Sequence, residues 1–363
     1  MRATRWSGGI VVLLAMASCT RESDAELPLA RAGARELVVE PMVPLHDDDG
    51  YGLARPEWIS ETPGGALVVT DLSDKNLKLY ASDGRRTGTV GRAGHGPGEF
   101  AGLTTAQAYG DSLMAYDLTG SRITIFGPDG RYARALEVSR RTWPMPFSVR
   151  VVDDSLFLLV AAVAGAARGE LLGIIRPDGS TVASFFNASS YLGTDPRVVR
   201  RTGLVADAAG GYVFAALVGG DSVWVFDYRG RRVGAQGVDP VQPLVSTRAL
   251  FARARGRERG ADGRSFTHGN RNVIGLVALD SGTVALQVAA YDAEHGTDPL
   301  EGGTFILAAA RPEGVRILAR RDLTGALLGR DRRGRGLLLR YASADMDAYE
   351  LMRLRAASAE ATP

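Results

Sequence analysis

The sequence predicts an all-β fold, a six-bladed β-propeller, on three observations: a unit of paired short strands that recurs six times, apolar residues alternating with period two inside the units, and a composition rich in turn formers. The chain has 363 residues, 45% of them hydrophobic, with 45 glycines and 16 prolines. That composition belongs to a folded, turn-rich protein and excludes both a disordered chain and a polytopic membrane protein. Length leaves one large β domain or two ordinary ones open, and the repeats select the first.

Taken in order, the chain begins with Arg2 and Arg5 ahead of an apolar run from Ile10 to Ala17, which is too short to span a bilayer and has the shape of a secretory signal. The segment Met16-Ala17-Ser18-Cys19 resembles a bacterial lipobox, with Met16 in place of the commoner leucine. The resemblance implies that Cys19 is lipidated and becomes the first residue of the mature protein. Cys19 is the single cysteine, so the exported body has no thiol for disulfides, metal sites or nucleophilic catalysis. Loss of residues 1–18 removes two arginines from the 43 basic residues and leaves 41 against 41 acids. A neutral body offers no field for nucleic acid. Residues 19–33 read as a flexible tether, 34–355 as the propeller and 356–363 as a disordered tail.

The unit is clearest in GALVVTDLSDKNLKLYASDG (65–84) set against DSLMAYDLTGSRITIFGPDG (111–130). Asp71 and Asp117 are followed at equal offsets by Leu77 and Ile123, Leu79 and Ile125, Tyr80 and Phe126, and Gly84 and Gly130. Alternation of this kind buries one face of a strand pair and exposes the other. A third copy lies at 211–230, and weaker ones at 155–179, 282–314 and 336–354. The turns ahead of the leading strands, at Gly65, Gly110, Asp154, Gly211, Gly282 and Gly336, are 45, 44, 57, 71 and 54 residues apart. One such unit buries too little surface alone, so several must pack face to face around an axis. LTTAQAY (103–109) and VIGLVAL (273–279) supply further strands, and ARELVVEPM (34–42) is expected to close the ring by pairing with the segment Tyr349–Leu354.

Residues 55–138, and above all GRAGHGPGEF (91–100), resemble the six-bladed β-propeller lipoproteins of bacteria, which are related to NHL-repeat propellers. The signature falls on Gly91, Gly94, Gly96, Pro97, Gly98, Glu99 and Phe100. Later units match in pattern only, and the third and fifth have no aspartate at the place of Asp71. The resemblance implies a fold and a compartment, the cell envelope, more than an activity.

GRAGHGPGEF lacks the flanking strand and helix, the lysine and the Ser or Thr of a phosphate loop. It reads as a corner between the first two units, with Pro97-Gly98 at the centre of a type II turn; Arg92, His95 and Glu99 are the candidate ligand-binding residues if it lines the channel mouth. Gly110-Asp111-Ser112-Leu113 spells an esterase signature, but GDS recurs at 220–222 and marks turns. His46-Asp47-Asp48-Asp49-Gly50 lacks EF-hand spacing, so no cofactor is expected, with a carboxylate-held divalent cation such as Ca²⁺ left open. The same applies to Asp292, Glu294, Asp298 and Glu301 around His295. The stretch 246–272 carries seven arginines against Glu258 and Asp262; Arg253, Arg255, Arg257 and Arg259 are its candidate partner-binding residues, and a solvated loop is the plainer alternative.

The expectation is therefore a monomeric, lipid-anchored, extracytoplasmic module that binds a protein or small molecule. The alternative is a metal-dependent enzyme with its site in the central channel, as in related lactonase and lyase propellers. It is weakened because His46, His95, His268 and His295 occupy no equivalent positions in different units.

Overall fold

Each recurrent unit folds as four antiparallel strands. The computed structural model describes residues 37–46, 52–139, 143, 146–161, 170–187, 204–217, 222–237, 271–279, 282–290, 300, 302–311, 314–342 and 348–356. β1 (Leu37–Leu45) precedes the first unit, made of β2 (Pro56–Glu61), β3 (Leu67–Asp71), β4 (Asn76–Tyr80) and β5 (Arg86–Val90). Two short strands, β6 (Arg92–Ala93) and β7 (Glu99–Phe100), lead to β8 (Leu103–Tyr109), β9 (Ser112–Asp117), β10 (Arg122–Phe126) and β11 (Tyr132–Glu137). The third unit is β12 (Pro146–Asp153), β13 (Leu156–Ala161), β14 (Glu170–Ile175) and β15 (Thr181–Asn187). The fourth is β16 (Leu204–Ala209), β17 (Tyr212–Leu217), β18 (Ser222–Asp227) and β19 (Arg232–Gly237). The fifth is β20 (Arg271–Ala278), β21 (Thr283–Ala290), β22 (Gly303–Arg311) and β23 (Gly314–Leu323). The last contributes β24 (Ala326–Arg330), β25 (Gly336–Tyr341) and β26 (Tyr349–Ala356).

The chain is a β-propeller. Its innermost strands β2, β8, β12, β16, β20 and β24 touch one another in turn, and β24 touches β2. Between successive units lie separate apolar cores: Val68 and Leu77 with Phe100 and Leu113; Tyr116 and Ile123 with Phe157 and Ile175; Leu172 and Phe185 with Val213 and Trp224. The series continues through Phe214 and Val225 with Leu286 and Ile306, Phe305 and Leu307 with Leu338 and Leu354, and Leu337 and Leu351 with Leu67 and Tyr80. Full burial of each such side chain stabilises by about 1.5–3 kcal/mol, so neighbouring units hold one another.

The first and last units share one eight-stranded sheet, because β24 pairs in parallel with β2 at Ile59↔Gly329 and Ser60↔Arg330. β1 runs antiparallel to β26 from Leu37↔Ala356 to Leu45↔Tyr349. Val38 lies opposite Arg355, and β26 extends to Ala356.

One expectation is corrected. The middle strands are not buried on one face only: β3 is buried at all five positions, and β9, β10 and β13 nearly so. A sheet flanked by a sheet on each side has two dry faces. Outer strands such as β11 are the open ones, with five of its six residues exposed. The polar member of the pattern in β4, Lys78, is fully buried and survives there by pairing with Asp71 at 2.9 Å and Asp74 at 2.7 Å and donating to the Gly52 carbonyl at 2.7 Å.

Candidate functional site

The innermost strands carry the positions nearest the axis, and four of them hold a β-bulge at matching register. Pairing skips one residue between Pro56 and Trp58, between Leu103 and Thr105, between Pro146 and Ser148, and between Val273 and Gly275. The inserted residues are Glu57, Thr104, Phe147 and Ile274. An inserted residue leaves the ladder and re-aims its side chain. Accordingly Glu57, Thr104 and Ile274 are half-buried and Phe147 is 47% exposed, although the strands around them are largely buried. The hydroxyl of Thr104 is buried without a hydrogen-bond partner.

Further along the same strands lies a charged group. Arg330 donates to the carbonyls of Ala208 (2.9 Å), Ala278 (2.6 Å) and Val151 (3.3 Å). Asp207 accepts from the amides of Ala208 and Ala278, each at 2.9 Å, and lies 3.7 Å from Arg330. These two residues tie β12, β16, β20 and β24 together across the axis. Arg150 is less committed: its guanidinium carbon sits 3.7 Å from the centroid of the Trp58 ring, and its Nε and Nη1 are buried with no hydrogen-bond partner. Burial lowers the Arg150 pKa, against the raising influence of Asp207 and Glu57 and with some help from Arg330. Burial likewise raises the Glu57 carboxyl, with Arg150 and Arg55 opposing. Two desolvated opposite charges beside an indole and an exposed phenyl ring suit a ligand with both polar and apolar parts.

The GRAGHGPGEF corner is internally bonded. Glu99 Oε1 accepts from Arg92 Nε (2.8 Å) and Nη2 (2.6 Å), and its Oε2 accepts from the amides of His95 (3.1 Å) and Gly96 (2.9 Å). Arg122 donates to the carbonyls of His95, Gly96 and Glu99. Arg92, His95 and Glu99 are thus brought together, with the carboxylate engaged inside the loop and the His95 side chain exposed. The Gly96 carbonyl accepts from the Glu99 amide at 3.1 Å across Pro97-Gly98, and Gly98 has φ +75°, as a type II turn requires. Gly98→Ala is expected to cost about 1–2 kcal/mol, the penalty of a left-handed residue with a Cβ. His95→Ala should stay within about 0.5 kcal/mol. Urea denaturation of both variants checks the contrast.

Asp111 lies in the turn between β8 and β9, with Ser112 opening β9. The repeated aspartates hold loops: Asp117 accepts from the amides of Ala101, Gly102 and Gly120. The fourth and sixth units also lack this aspartate, with Leu217 and Tyr341 ending the corresponding strands. Cys19, Asp47–Asp49, Arg253, Arg255, Arg257, Arg259, His268 and the acids around His295 lie outside the described residues. Among the described residues no three His, Cys, Asp or Glu side chains gather in a metal-holding group.

The sequence reading missed Glu57, Arg150, Asp207 and Arg330. Each is an ionisable residue inside an apolar innermost strand, as in PEWISE, SVRVV and LVADAA, and that interruption was the available signal.

No family model and no curated protein matches the chain. Solved structures do. A protein described as exported from Bacteroides fragilis is similar at TM-score 0.57 and 11% identity, covering 91% of this chain and 98% of its own. A member of the DUF4221 family from Bacteroides vulgatus is similar at TM-score 0.52 and 10% identity, over 89% and 97%. The PQQ-bound aldose sugar dehydrogenase of Streptomyces coelicolor is similar at TM-score 0.50 and 14% identity, over 88% and 99%. At such identities the likeness is one of fold.

Proposed function

We propose that this chain is a lipid-anchored, extracytoplasmic, six-bladed β-propeller that serves as a ligand-binding module. Its ligand sits at the mouth of the central channel, among Glu57, Thr104, Phe147 and Ile274, with Arg150 and Trp58 beneath. One observation carries the reading. Four innermost strands place a bulged residue at one register, while Arg150 next to them has two buried donors without acceptors. Arg330 and Asp207 spend their polar atoms on the scaffold, whereas Arg150 does not. The anchor rests on the lipobox-like Met16–Cys19 segment, and export is in keeping with the apolar run ahead of it.

An amphipathic anion, anilinonaphthalene sulfonate, is the probe. The folded full-length chain is expected to bind it saturably, with affinity falling at least about 10-fold in Arg150→Met, the scale of one lost charge-assisted hydrogen bond. Phe147→Ala should weaken it less. Arg150→Met keeps the fold, since an apolar residue of similar length replaces a desolvated cation. Equal affinity in the wild-type chain and both variants rejects the channel-mouth reading. Mass spectrometry of the mature protein is expected to find acylated Cys19 at the N-terminus, and an unmodified terminus further along rejects the anchor.

A further inference from the structure

At the other end of the innermost strands, away from the bulges, the turn between β24 and β25 reads Asp331-Arg332-Arg333-Gly334-Arg335. Arg332, Arg333 and Arg335, with Arg353 of β26 and Glu61 at the end of β2, line a cavity of about 270 Å³. Asp331 is 4% exposed and saturated: Oδ1 accepts from the amides of Arg333 and Arg335 at 2.9 Å, and Oδ2 lies 2.7 Å from Arg335 Nε and 3.2 Å from Arg353 Nε. One buried carboxylate therefore fixes two guanidinium groups whose remaining edges border the cavity. Arg332 is steered by its amide donating to Glu61 (3.2 Å) and its side chain donating to the Pro63 carbonyl. Among the described residues nothing accepts from the Arg333 guanidinium.

Four arginines thus face Glu61 and Asp331, a surplus of two positive charges around a cavity of small-ligand size. We infer that this cavity binds a compact dianionic oxyanion, the phosphate or phosphomonoester group. Planar guanidinium forks match tetrahedral oxygens in pairs, and two of them are pre-positioned by Asp331, so little side-chain freedom is lost on binding. The cavity lies at the seam where β24 meets β2, at the end opposite the proposed channel-mouth site, and depends on none of that site's residues.

Calorimetric titration of the full-length chain with inorganic phosphate at low salt tests the inference. Saturable one-to-one binding is expected, weakened at least about 10-fold in Arg333→Gln and in Arg332→Gln, both exposed positions whose melting behaviour should not change. Arg150→Met should bind phosphate as the wild type does, which separates this site from the channel. A second arm uses the full-length Cys19→Ser chain with vesicles of phosphatidic acid or phosphatidylcholine. Binding in the first arm assigns a soluble phosphate; binding only to phosphatidic acid, lost in the same arginine variants, assigns a lipid headgroup. Absence of binding in both arms, or wild-type binding by both arginine variants, overturns the inference.

Discussion

Replacing Asp71 by alanine is expected to cost about 3–5 kcal/mol of folding stability, the range for removing one partner of a buried ion pair. The carboxylate is fully buried, and its Oδ2 lies 2.9 Å from Lys78, which is itself fully buried. Oδ1 accepts from the amides of Arg55 (3.2 Å), Ser73 (3.1 Å) and Asp74 (3.3 Å), and Oδ2 from that of Ala54 (2.8 Å). Alanine strands those donors and leaves the ammonium with Asp74 as its one charged partner among the described residues. Chemical denaturation of wild type and variant measures the loss, and a change under about 1 kcal/mol contradicts the account. Acid offers a second readout. Burial by itself raises the Asp71 carboxyl, but Lys78 and the amides of Ala54 and Asp74 outweigh it and hold the folded-state pKa below the usual aspartate value. The contribution is therefore complete above the unfolded-state pKa of about 3.9 and is lost as pH falls through the lower folded-state value. Asp71→Asn should flatten that part of the stability–pH curve.

Gly329→Ala is the second large effect, expected to cost about 1–3 kcal/mol as an overfilled contact. A Cβ at Gly329 would stand 1.8 Å from the Ile59 carbonyl oxygen and 2.8 Å from its carbon. Both belong to the backbone of β2, so no side-chain rotation relieves the clash, and the parallel pairing of the first and last units must yield. Gly88 is the control, because nothing lies within 4 Å of a Cβ added there. Thermal melts should separate the two variants clearly; equal melts would mean that the β24–β2 seam is looser than drawn.

The repeats were legible because each unit is written locally, as apolar runs punctuated by turns: Gly65, Gly110, Asp154 and Gly211 lie in the turns ahead of β3, β9, β13 and β17, while Gly336 already opens β25. Burial on both faces was harder to see. Lys78 reads as a solvent-facing residue until the position of Asp71 across β3 and β4 is known. The channel features were hidden for a related reason. A bulge at Glu57 or Phe147 is a property of register against the neighbouring strand, and no local pattern of residues announces it. Likewise Arg332, Arg333 and Arg335 are neighbours in sequence, while Arg353 and Glu61 reach the same cavity only through the ring.

Translation delivers β1 first and its partner β26 last. Throughout synthesis the row of N–H and C=O groups from Leu37 to Leu45 waits unmatched, an adhesive border that another nascent chain can claim. Assembly is consequently gated by the arrival of the final residues, and a stop codon or proteolytic nick ahead of Tyr349 deprives β1 of its only ladder among the described residues, however complete the intervening sheets.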